Sequence, residues 1–220
     1  MTKALKILAL SILLNTAAFS RVSFPGPVPE DEWNALDAAM DREDWKEVET
    51  LASRCLAHFK GEDQSPAGFF RFTIIHAWAA QLREGKITQE TLETRLKPLI
   101  GKMIITGHAP ISSSTEVRIG CLQTAEGDDH YAYIALENKK PKAVTVMIDA
   151  NLLLPLDTKT LDGKRAALCG TLTSFELCPQ RQPSIVVTLQ LEDAFIQMHP
   201  KDMKEDPHNN DSNKRSTPWK

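Results

Sequence analysis

Six histidines, four cysteines and a scatter of carboxylates are the side chains of this 220-residue chain that could do chemistry. Asp128-Asp129-His130 is a compact acid–histidine group with the donor types of a metal site or an acid–base pair. It follows Glu126-Gly127 between two apolar runs, where Asp and Gly are expected for turn geometry alone. His76 lies in an apolar helical stretch with no second His, Cys or acid three or four residues on, so a hydrogen-bonded core histidine is expected. Cys121 as a nucleophile would need a partnered histidine and positive surroundings, and nothing near it in sequence supplies them. No nucleophile elbow, zinc-binding HExxH, phosphate loop or dinucleotide fingerprint occurs. An exported hydrolase or metal-dependent enzyme would therefore require His76, His130 and nearby acids to converge in space.

The ends of the chain set the compartment. Lys3 and Lys6 precede an apolar run, Ile7 to Phe19, and small residues follow at Ala17, Ala18 and Ser20. Charge, apolar core and small-residue site form the layout of a secretory signal peptide over residues 1–20. The run is too short to cross a bilayer, which takes about 20 apolar residues. A membrane span after cleavage is not expected, and the protein is read as secreted or periplasmic. Cleavage removes two lysines and no acid, which moves the formal net charge from −3 to −5. Residues 21–28 read as a linker, and residues 199–220 are too polar to bury a core and read as a disordered tail. In an oxidising compartment Cys121, Cys169 and Cys178 are candidates for one disulfide, and the pairing stays open.

Between these ends the chain changes period. Over 29–98 the apolar residues recur every three to four positions: Trp33, Leu36 and Met40, then Val48, Leu51, Cys55 and Phe59. Asp44 with Glu47 is placed to cap a second helix, and Thr88 a later one. Phe69 to Leu82 is apolar around nearly its whole circumference, so that helix is expected to be packed on more than one side. About four helices in hairpins are predicted. Leu36, Ala39, Asp44-Trp45, Val48, Ala52 and Cys55 resemble the spacing of a tetratricopeptide unit. Trp45 and Ile87 are 42 residues apart, which departs from that repeat's 34-residue period.

From 99 to 198 the pattern alternates. His130–Glu137, Ala143–Asp149 and Ile185–Leu191 read as strands, with Lys164–Phe175, Glu116–Leu122 and Met103–Ile105 as weaker candidates. The fold class predicted is α+β, helical hairpins followed by a five- to six-stranded antiparallel barrel. The strand at Leu168-Cys169-Gly170-Thr171-Leu172, the turn Leu161-Asp162-Gly163 and a long third connection resemble an OB-fold. Gly170 is placed for a sharp bend in a strand. Alternation sends Ala132, Ile134, Leu136, Val144, Val146 and Ile148 inward. It sends Tyr131, Tyr133, Thr145 and Met147 outward. The resemblance implies a ligand on that outward face, with the tyrosines as stacking platforms. The other reading is that the face packs against the helices.

The function expected is an exported, non-catalytic binding or scaffolding protein, with helices docking a protein or peptide partner and the β half binding a ligand. No cofactor and no metal is called for. Residues 99–198 hold nine Lys plus Arg against eleven Asp plus Glu, so no positive field invites nucleic acid. Intact-mass and N-terminal analysis of the exported protein should find a chain beginning at Arg21 or Phe19. Recovery from the medium or periplasm of a chain still carrying residues 1–18 would overturn the signal-peptide reading.

Overall fold

A computed structural model describes residues 28–59, 65–139, 143–177 and 185–203. The candidate signal peptide, most of the tail and Cys178 lie outside the described residues. Helices come first: α1 (Glu30–Arg42), α2 (Trp45–Ala57), α3 (Ser65–Arg83) and α4 (Gln89–Leu96). A 3-10 turn at Lys97–Leu99 closes this part, and the strands begin at Met103.

Local chemistry sets the helix ends. Glu30, Asp31 and Glu32 occupy the first turn of α1, where the helix dipole favours acids. Glu43 takes a left-handed conformation (φ 56°), and Asp44 Oδ1 then accepts the Glu47 N–H at 3.2 Å to start α2. Glu47 does not return the capping contact; its carboxylate pairs with Arg42 at 2.7 Å. Thr88 caps α4 by accepting the Thr91 N–H at 3.2 Å.

α3 is the central element, for the reason its composition predicts. One side presents Phe69, Phe70, Ile74, Ala77 and Ala80 to α1 and α2, while Phe72, Ile75 and Ala79 join the sheet's core. Each buried Phe or Ile stabilises the fold by about 1.5–3 kcal/mol relative to exposure. The Glu49 carboxylate on α2 ties three helices together. It accepts from Trp78 Nε1 (2.7 Å) and Gln81 Nε2 (2.8 Å) of α3 and from Arg95 Nη1 (2.8 Å) of α4.

The β half contains β1 (Met103–Ile105), β2 (Ala109–Pro110), β3 (Leu122–Ala125), β4 (Asp128–Asn138), β5 (Ala143–Leu152), β6 (Arg165–Leu177) and β7 (Val187–Met198). A short α5 (Thr158–Leu161) lies between β5 and β6. The strands form one seven-stranded sheet in the order β1-β6-β7-β5-β4-β3, with β2 also on β6. The α+β class is as expected, but the sheet corrects the rest of the prediction. It is mixed rather than antiparallel, because β5 and β7 run parallel, and the pairings among the described strands form an open path. The strand expected at Glu116–Leu122 starts only at Leu122. Upstream of it the chain loops, and the buried Gln123 side chain takes the place of a partner strand. Its Nε2 donates to Ser114 O and Glu116 O (2.8 Å each), and its Oε1 accepts from Arg118 N (2.6 Å).

Two glycines permit close approach. At Gly170, beside a register shift in β6–β7, a Cβ would lie 3.0 Å from Ala194 Cβ and 3.0 Å from Leu191 Cβ. At Gly68 in α3 a Cβ would stand 2.8 Å from Ile105 Cγ1 and 3.3 Å from the Ile105 backbone nitrogen. Leaving Gly for a β-branched residue gains at most about 1 kcal/mol of helix propensity, whereas forcing methyls into a packed contact costs about 1–3 kcal/mol. Gly68→Val should therefore lower the free energy of unfolding by about 2 kcal/mol in urea titration, and an unchanged midpoint would show that α3 does not press on β1.

Candidate functional site

Strand register assembles the candidate site. Tyr133 on β4 stands opposite Asp149 on β5, which stands beside Gln190 on β7. One step along, Ala135 faces Met147, and Tyr131 faces Asn151. Tyr131, Tyr133, Met147 and Asp149 are all partly buried and share the face opposite Ala132, Ile134, Ile148 and Ala150, which are in the core. Phe72, Ile75 and Ala79 of α3 with Leu92 and Leu96 of α4 join this core side, while the other side of α3 meets Ile105 of β1 and Ala167 and Cys169 of β6. Tyr131, Tyr133 and Met147 belong to neither of the two buried clusters that the helices share with the sheet.

Thr145 does not belong to that face. A β-bulge shifts the register between Leu136 and Glu137, so that Leu136 pairs with Val146 but Glu137 pairs with Val144. Thr145 is the extra residue and is fully buried at 0% exposure, with its carbonyl accepting the Val186 N–H at 3.3 Å. Val144, expected inward, is partly exposed opposite Glu137. Strict alternation fails at a bulge because one inserted residue reverses the parity of everything beyond it.

Asp149 and Gln190 enter the site unannounced by alternation in a single strand, since only pairing with β4 and β7 places them beside Tyr133. Gln190 Nε2 donates to Asp149 Oδ2 at 3.1 Å, while Asp149 Oδ1 is buried without a hydrogen bond. Burial pushes the Asp149 carboxyl above the ordinary range, against the opposing pull of Gln190 and Tyr131. Burial first, and the Asp149 carboxylate second, push Tyr131 up to about 12, and burial raises Tyr133. Both phenols therefore stay protonated near neutral pH. Asn151 Nδ2 donates to Glu192 Oε1 at 2.7 Å at the rim. Strands β4, β5 and β7 carry no Lys or Arg. Two ring faces, a thioether and a carboxylate can hold a ligand by stacking and charge. The set offers no nucleophile with a partnered base.

The other candidates separate. His76 is buried in α3, its Nε2 3.2 Å from Asn138 Oδ1, against the rings of Trp45 and Phe72. An amide oxygen only accepts, so Nε2 carries the proton. His130 N–H donates to Asp128 Oδ1 (2.9 Å) and its Nδ1 meets Leu152 O (3.1 Å), a turn-closing arrangement. His76 sits by residue 138 and His130 eight residues back along β4, roughly 25 Å away at about 3.3 Å per residue. They do not converge, and among the described residues no group of three His, Cys, Asp or Glu is placed to hold a metal ion. Cys55, Cys121 and Cys169 are free, so the candidate Cys121–Cys169 pairing is not formed. Burial pushes Cys169 up to about 12 and raises Cys121. Burial, followed by the charge of Glu32, pushes Cys55 up to about 11. No described helix is long and apolar enough to cross a membrane.

No family model, curated protein or solved structure matches this chain.

Burial lowers the His76 pKa to about 4, with the Asn138 hydrogen bond opposing. The unfolded chain, with an ordinary histidine, binds a proton that the folded chain refuses. Stability is therefore full above about pH 6.5 and falls as pH drops toward 4, by up to about 3 kcal/mol. Thermal unfolding of the purified protein should show this loss, and His76→Gln should flatten it. An equal acid loss in the variant would exclude His76 as its source.

Proposed function

We propose that this is an exported, non-catalytic binding protein that holds an extended, cationic peptide segment on the β4–β5 face, while its helices dock a protein partner. The observation that carries the reading is the placing of Tyr131 and Tyr133 beside Met147 and Asp149, on the face of β4 and β5 opposite the core residues Ala132, Ile134, Ile148 and Ala150. The partly buried rings keep some π-face for a guanidinium or ammonium group, a contact worth about 0.5–2 kcal/mol depending on desolvation. Asp149 supplies the counter-charge. Glu137 lies on β4 and Glu192 on β7, and the absence of Lys and Arg from β4, β5 and β7 disfavours a phosphate-rich ligand.

Support for an OB-like β half comes from the strand order β3-β4-β5-β7-β6, with α5 in the connection between β5 and β6. In that arrangement β4 and β5 occupy the position of the ligand-bearing strands. The helical half supports a docking role through α1, whose surface is strongly acidic at Glu30, Asp31, Asp37 and Asp41. Export rests on the charge, apolar run and small residues at the start of the chain.

A peptide array of graded charge, probed with the mature protein, tests the reading. Lysine- and arginine-bearing peptides should be retained and their glutamate counterparts should not. Tyr131→Ala with Tyr133→Ala should weaken binding by about tenfold or more and leave the unfolding midpoint nearly in place, because neither ring belongs to the core. Equal retention of acidic peptides, or a double variant that binds as well as the parent, would defeat the proposal.

A further inference from the structure

A second cluster lies where β6 begins and β7 ends, on residues the binding face does not use. His108 comes from the β1–β2 connection, Arg165 opens β6, and His199 and Asp202 belong to the turn that follows β7. The two imidazoles meet edge to face, with centroids 4.8 Å apart at 85°. His199 is 5% exposed. Its Nδ1 accepts the Lys201 N–H at 3.2 Å and lies 3.4 Å from Arg165 Nη2. Asp202 Oδ2 accepts from the Arg165 backbone N–H (3.1 Å) and from its Nε (3.2 Å). The His199 N–H donates to Arg165 O at 2.8 Å, which fastens the turn to β6. Both ring nitrogens of His108 are buried without a hydrogen bond among the described residues.

This geometry tolerates neutral imidazoles and penalises charged ones. A guanidinium only donates, so the Nδ1 that faces Arg165 must be unprotonated. A proton placed there would lose the Lys201 contact and point at a fixed positive charge. A proton on His108 would sit buried beside His199 and Arg165 with no acceptor. The charged groups acting on the pair are Arg165 from β6 and Lys201 and Asp202 from the turn. Asp202, the acid among them, is bonded to Arg165.

We propose that His108 and His199 form an acid-operated clasp, which fastens the turn His199–Met203 to the start of β6 while both rings are neutral and releases it when they take up protons. Release separates the rings, gives each imidazolium water, and frees the turn from Arg165. Burial first, then neighbouring positive charge, holds both histidines below their ordinary range. The sign follows: a lowered folded pKa means the clasp is fully stable above about pH 6.5 and weakens as pH falls below it. The released segment leads directly into the chain beyond Met203, so the device would couple ambient acidity to how that chain is tethered.

Nuclear magnetic resonance of the full mature chain, titrated from about pH 7.5 to about pH 5, tests this in the ordinary range of histidine switching. Exchange protection of the His199 and Asp202 amides, corrected for intrinsic rate, should fall by about tenfold or more while β4 amides keep theirs. Both rings should titrate below about 6.5. His108→Phe keeps the ring contact, and His199→Asn keeps an acceptor for the Lys201 N–H; the double variant should hold its protection across the range. Unchanged protection in the parent, simultaneous loss throughout β4, or loss in the double variant at the parent's midpoint would overturn the clasp. Should the double variant not fold, the parent decides alone: either ring titrating at or above the ordinary histidine value overturns it.

Discussion

Helix α3 has no side that water can be allowed to reach, and the rest of the molecule is arranged around that constraint. Nineteen residues are apolar on nearly every azimuth, so neither a hairpin partner nor a sheet could cover them alone. α1 and α2 take one side, and the sheet with α4 takes the other. The polar groups that α3 carries are used as ties. Arg71 Nη1 donates to Met103 O at 3.1 Å, Arg83 Nη2 donates to Val144 O at 2.8 Å, and His76 meets Asn138. These three contacts join helix to strand, so they offset part of a desolvation cost and fix the seating of helix on sheet. Sheet residues Ile105, Ala167 and Cys169 in turn join the helical core, so the two halves share buried surface.

That seating decides which face of the β half is left for ligands. Helical side chains meet the outer face at β1 and β6, and the outward residues of β4 and β5 lie outside both buried clusters and keep partly buried aromatic rings. The same face holds a carboxylate raised by burial, with one oxygen bonded and one not. A carboxylate in that condition gains more from an incoming cation than a solvated one does, because less water is displaced and the local dielectric is lower.

The bulge at Thr145 has a structural purpose of its own. By absorbing one residue, β5 turns Thr145 into the interior and lets its carbonyl meet Val186 at the start of β7. Bulges bend and twist a strand, and here the bend coincides with the junction where α3, β5 and β7 come together. The parallel pairing of β5 with β7 begins just beyond it, at Val146 and Val187.

Features that depend on near neighbours along the chain were legible before any fold was known. The caps at Asp44 and Thr88, the turn at Glu126-Gly127, the all-round burial of α3 and the inward set Ala132, Ile134, Val146 and Ile148 are all local or periodic properties. His76 as a hydrogen-bonded core histidine was legible for the same reason, since its apolar surroundings are its own helix neighbours. Tertiary structure alone decided what depends on pairing between distant residues. These are the parallel β5–β7 register that brings Gln190 to Asp149, the bulge that withdraws Thr145 from the face, the separation of His76 from His130, and the meeting of His108 with His199. Periodicity records which way a side chain faces. It carries no information about which strand lies alongside, because that choice is made by surface complementarity across tens of residues and is written in no single stretch of sequence.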